Sequence, residues 1–380
     1  MKLVQGDEVR LFKRPEKSIV IYPEKTMKDM PGRVIIETQE DDCIETVARK
    51  VVSAFLAGCA EIVVLLDTFE EDTQKKIIER LRRLTIDSLE DTELKYLANH
   101  PTTGEAGLLV QLVVKTDYSS GTVNLLKKLS EIHEDIVNLH RNAIRSINDF
   151  RADYADLLFK DDSRIDKAYL FVLRALKEAV VDETSMKHMG LGSLRECLAY
   201  RHIAKNLERI SDHSARIGKS FCDLVHYEEG KVDTNRLEHF KKSLVLHVGF
   251  WNKIEDLSKL AISAFDDAVD SLLKRDYSNS DKVIQTVRDK KKGIVVKSRE
   301  LIEEIPNLAS NGFETDEICM LTQVIESIRR TAEYARGISE IALNLIFYEA
   351  LLEAPKKGEY RIVPPSVVQT KAPKDVTLKH

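Results

Sequence analysis

From Ser119 to Leu352 the apolar residues return every three or four positions with few turn signals between them, the pattern of helices that bury one face. The spacing predicts six long helices in two sets of three. The first set runs from about Ser120 to Phe150, Ala152 to Val181 and Ser193 to Val225, and the second from about Asn235 to Lys274, Ser280 to Glu304 and Thr315 to Leu352. In the third helix Ile203, Leu207, Ile210, Ser214, Ile217 and Phe221 step by four, three, four, three and four, a heptad seam. That seam returns 121 residues later as Val324, Ile328, Thr331, Ala335 and Ile338, and NAIRSI from Asn142 parallels DAVDSL from Asp267 at an offset of 125. One three-helix unit is used twice.

Before Ser119 the period shortens. Val9 and Leu11 alternate with polar neighbours and Ile19 to Ile21 returns after the turn Arg14 to Glu16, a hairpin pattern. Strand Arg33 to Glu37, helix Asp41 to Leu56, strand Glu61 to Asp67, helix Glu70 to Leu84 and strands near Leu94 to Leu97 and Leu108 to Lys115 follow, with Gly58 stopping the first helix. The fold class is therefore mainly α: two tandem three-helix bundles preceded by a small α+β N-terminal domain. The expected segments are a partial hairpin over residues 1–28, the α+β domain over 29–117, bundles over 118–228 and 229–352, and a flexible, proline-containing tail over 353–380.

Composition narrows the function. Fifty-eight bases against 63 acids give a net charge of −5, which supports no general affinity for nucleic acid. The five cysteines are scattered without a CxxC pair, and read as reduced core or helix-face residues. No apolar run reaches the ~20 residues of a membrane span and no signal-peptide pattern opens the chain, which places it in the cytoplasm. Neither a Gly-rich phosphate loop nor a nucleophile elbow occurs, so the chain is not read as an enzyme.

The candidate chemistry lies in carboxylates four apart. Glu208 and Asp212 stand roughly 140° to 180° from the seam of their helix, while Asp162 falls on the apolar stripe of the preceding helix with Asp166 one turn on. A carboxylate on such a stripe must be paired, hydrated or metal-bound. Two helices each presenting such a pair can form an all-oxygen site for iron, manganese, magnesium or calcium. The same spacing also serves an ordinary charged flank, with Lys205 and Arg209 beside Glu208. His133 and His140 read as satisfied core histidines, and His213 beside Asp212 as a group that could orient a ligand.

LERISDHSARIG from Leu207 resembles the signature of the PhoU proteins, the phosphate-uptake regulators. The six helices, the repeat and an N-terminal extension similar to the second half of an AbrB/SpoVT-like hairpin resemble the archaeal branch. The resemblance implies metal bound at the bundle surface, iron or zinc with manganese or magnesium possible, carried by Asp162, Asp166, Glu208 and Asp212. It also implies inhibitory contact with the phosphate ABC transporter ATPase or an associated signalling protein, and a homo-oligomer. In the second repeat Asp289 and Glu333 keep acidic positions, while Gly293 and Arg329 replace the others, so two unequal halves are expected. The alternative function is DNA-binding transcription regulation of phosphate genes through the N-terminal domain.

Overall fold

The computed structural model describes residues 9–13, 19–23, 32–99, 106–115, 123–228, 231–310, 312–353, 361–363 and 375–377. Strands β1 (Val9–Lys13) and β2 (Ile19–Pro23) pair antiparallel, as the hairpin pattern predicts, with Leu11 opposite Ile21. The flanking residues on which the AbrB-like reading depends lie outside the described residues.

The α+β part follows as β3 (Arg33–Ile36), α1 (Ile44–Ala57), β4 (Glu61–Leu65), α2 (Glu71–Asp87), β5 (Thr92–Asn99) and β6 (Ala106–Val114). Its sheet has the order β3-β4-β6-β5, with β3 parallel to β4 and the other pairs antiparallel. Val47, Val51 and Phe55 of α1 and Ile77, Leu81 and Leu84 of α2 share one core with Ile62, Val64, Val110 and Leu112. The two sets of period-3.6 positions thus meet the period-2 positions of one sheet face. Helix α1 ends at Gly58, whose φ of 101° is the left-handed conformation that glycine adopts without strain.

The helical part comprises α3 (Leu125–Asn148), a 3-10 turn (Ala152–Tyr154), α4 (Ala155–Val181), α5 (Glu183–His188) and α6 (Leu194–Leu224), then α7 (Thr234–Leu246), α8 (Val248–Lys274), α9 (Tyr277–Arg288), α10 (Ile294–Ala309) and α11 (Thr315–Glu353). Two expected helices are broken. The helix expected from Asn235 to Lys274 turns at His247 (φ −116°, ψ 34°), and the one expected from Ser280 to Glu304 is interrupted between Arg288 and Ile294. The expected loop after Asp182 holds α5, whose first amides, those of Thr184 and Ser185, are capped by the Asp182 carboxylate. In the C-terminal segment β7 (Arg361–Val363) and β8 (Asp375–Thr377) pair in parallel, and the residues around them lie outside the described residues.

The chain forms two compact units. One holds residues 1–125 and 170–197, the other 126–169 and 198–380, so the cuts fall after the first residue of α3, inside α4 and inside α6. In the first unit Arg174, 5 % exposed, donates to the carbonyls of Phe55, Gly58 and Cys59 and lies over the Phe55 ring. A cation thus closes the carbonyl end of α1.

In the second unit both helix sets pack together, and repeat-equivalent residues exchange partners. The His133 ring meets Phe265 edge-on at 4.7 Å, and His140 Nε2 bonds Ser258 Oγ at 2.9 Å. At the 125-residue offset His133 corresponds to Ser258 and His140 to Phe265, so each contact is the counterpart of the other, as in a two-fold interface. His140 is buried, with its second nitrogen 3.1 Å from Ser214 Oγ, as expected of a core histidine, whereas His133, 2.9 Å from Asp266, has a partner but is only half-buried.

Candidate functional site

Asp162 and Asp166 sit one turn apart on α4, and Glu208 and Asp212 one turn apart on α6. All four are half-buried. The two helices are tied by Ser211, fully buried, whose hydroxyl donates to Asp162 Oδ1 at 2.9 Å. This is the partner a carboxylate on an apolar stripe requires. The spacing does not single out Ser211, which lies between the seam and the acidic flank of its helix.

The four acids form one electrostatic patch. Burial, followed by the negative neighbours Asp162, Asp212 and Glu208, pushes the Asp166 carboxyl up to about 7, against a smaller opposing pull from Lys205. Burial also raises Asp162, against the Ser211 hydrogen bond and with Glu208 adding to the rise. Asp212 is raised by burial, then by Glu208 and Asp162, with Arg209 and Lys205 opposing. Burial and like charge act in the same direction on three carboxylates, so the patch carries more negative charge than its surroundings neutralise.

Two cations already hold part of it. Lys205 Nζ lies 2.7 Å from both Glu208 oxygens and 5.4 Å from the centre of the Tyr169 ring, and Arg209 Nη1 lies 3.2 Å from Asp212. The donor set is all oxygen and suits a hard cation rather than a thiolate-seeking one. Among the described residues, however, no three His, Cys, Asp or Glu side chains converge as a group that could hold a metal ion. The chemistry of the patch fits a cation, and its geometry is that of a salt-bridged surface. His213, next in sequence, stacks on Tyr334 of α11 at 5.9 Å, and its Nδ1 is buried without a hydrogen-bond partner among the described residues. Burial, then Arg216 and Arg330, lowers its pKa to about 4, so the ring is neutral at pH 7.

The second set is built otherwise. Asp289 follows the last residue of α9, and its Oδ1 accepts from the amides of Lys291 and Lys292 at 2.8 and 2.9 Å, which holds its pKa down. Gly293 then starts α10 where a Cβ would lie 2.6 Å from the Asp289 carbonyl oxygen. On α11, Glu333 accepts from Arg329 at 2.6 Å and Arg330 at 3.0 Å, and Glu326 binds the same two guanidinium groups. At the 121-residue offset Lys205 and Glu208 correspond to Glu326 and Arg329, so that pair is reversed in sign, while Arg209 and Asp212 correspond to Arg330 and Glu333. Asp289 and Glu333 are thus both engaged within the chain.

No curated protein sequence matches the chain. Among solved structures, the phosphate transport system regulatory protein PhoU from Streptococcus pneumoniae is similar over 58% of this chain and 92% of its own, at 16% identity and a TM-score of 0.43. Residues 129–221, the stretch from α3 to α6 that holds Asp162, Asp166, Glu208 and Asp212, match the family described as the PhoU domain.

Proposed function

We propose that this protein is a PhoU-type regulator of phosphate uptake that works by contact with the phosphate transport or signalling machinery and not by turnover. The observation that carries the reading is the PhoU-domain match over the residues that build the acidic patch. In this reading the patch responds to cations. Asp162, Asp166 and Asp212, each raised by burial and like charge, would draw a divalent cation such as iron, zinc, manganese or magnesium to the patch without enclosing it as a three-ligand site, which would relieve their repulsion. Glu208 joins them only if Lys205 is displaced. The β1–β2 hairpin is kept as the AbrB-like element, with no DNA contact assigned to it.

Phosphate uptake in cells lacking the gene tests the regulatory role. Deletion is expected to leave uptake high when external phosphate is plentiful, and unchanged uptake at low and high phosphate would end this reading. The cation role is tested separately by isothermal titration of the full chain with manganese. The double variant Asp162→Asn, Asp166→Asn is expected to lose binding, and equal binding by both proteins would remove the patch from the proposal.

A further inference from the structure

The corner where α7 meets α8 is a surface the acidic patch does not account for. Leu246 at its apex is 77 % exposed, more than any other large apolar side chain described, and its neighbours Val245 and Val248 are 64 % and 56 % exposed. These are not spare core residues, because Phe240, Leu244, Phe250 and Trp251 on either side are buried. The corner is held in place by His247, whose ring lies 5.2 Å from Phe313. Single exposed apolar residues need no explanation, but three around one turn mark a contact surface.

Charge identifies the contact. From His239 to Ile254 the chain has no Asp or Glu, although it carries 63 acids in all. Lys241 and Lys242, one turn before the apex, are exposed and make no ion pair with a described carboxylate, and Lys241 leans over the Phe150 ring at 5.7 Å. An apolar tip behind a basic collar is the arrangement that settles on an anionic lipid surface, with apolar side chains among the acyl chains and ammonium groups at the phosphates. No described helix is long and apolar enough to cross a membrane, so such attachment is peripheral.

We infer that the α7–α8 corner is a membrane-surface anchor. Val245, Leu246 and Val248 enter the interface of an anionic bilayer, and Lys241 and Lys242 bind its phosphate groups. This rests on the corner alone and is independent of the phosphate-regulator reading.

The test is flotation of the full chain with vesicles of phosphatidylcholine and phosphatidylglycerol, with vesicles of phosphatidylcholine alone as control. Wild type is expected to float with the anionic vesicles and to be released by salt. Replacing Leu246→Ser and Val248→Ser together removes apolar area worth about a hundredfold in partition. Lys241→Gln with Lys242→Gln is expected to abolish the preference for anionic lipid and flatten the salt dependence. Since all four side chains are exposed, far-UV circular dichroism should be unchanged. Absence of wild-type flotation, or equal flotation by the serine variant, overturns the inference. So does sedimentation showing that Leu246→Ser dissolves an oligomer of a wild type that ignores vesicles, because the corner then joins copies of this chain.

Discussion

Replacing Asp166 by Asn keeps the side-chain shape and removes only its charge. In the folded protein this carboxyl titrates at about 7, while in an unfolded chain it titrates near 3.9. Between those values the folded state holds a proton that the unfolded state has released, so stability falls as pH rises through the window. The full gap corresponds to about 4 kcal/mol for a group sealed from water, and solvent screening of this half-buried side chain reduces it to about 1 to 2 kcal/mol. Asp166→Asn is therefore expected to be more stable than wild type by that amount at about pH 8 and equal to it at about pH 3, where the folded and the unfolded wild type are both protonated. Urea unfolding at both pH values measures the difference. Added manganese should raise the wild-type midpoint at the higher pH and leave the variant where it was. A stability difference that does not change with pH would refute the argument that burial and like charge strain this site.

Three other outcomes follow from the geometry. Arg174→Met leaves three carbonyls at the end of α1 without their donor and is expected to cost about 3 kcal/mol in urea unfolding of the first unit, with Arg174→Lys recovering less than half. Gly293→Ala drives a methyl group into the backbone of Asp289 and should lower stability by about 2 kcal/mol, read as a drop in melting temperature. His239 is raised above its ordinary pKa chiefly by its hydrogen bond to Glu317, so its stabilising effect is full below about pH 6.5 and is lost as pH rises through the folded value. Melts of His239→Gln should accordingly fall below wild type in acid and meet it in alkali.

Much of this was legible in residue spacing, because a helix that buries one face must repeat its apolar positions. The seam of α6 and its echo in α11 needed only counting, and the short apolar runs of β4 and β6 marked buried strands. The two broken helices show where that signal ends. Apolar periodicity continues through His247, so the turn there depends on backbone angles that spacing does not record. The break before Gly293 did have a local signature, an Asp whose side chain caps the following amides and a glycine that must lack a Cβ, but the repeat alignment drew both residues onto a continuous helix. At the acidic patch the spacing gave the four carboxylates and the cations beside Glu208. It could not give the Ser211 bridge or the height of the Asp166 pKa, since both depend on how closely α4 approaches α6.

The stacking of His213 on Tyr334 has a consequence for how such a chain can change. These two are repeat-equivalent, so in a symmetric pair of identical subunits the same position would meet its own copy, and any substitution would fall on both sides at once. Joining the halves in one chain removes that constraint. A histidine can face a tyrosine, and Lys205 with Glu208 on one side can stand against Glu326 with Arg329 on the other, each half drifting without dragging its twin. The second bundle could close its acidic patch into internal ion pairs while the first kept excess negative charge, which is a division of labour that a homodimer cannot make.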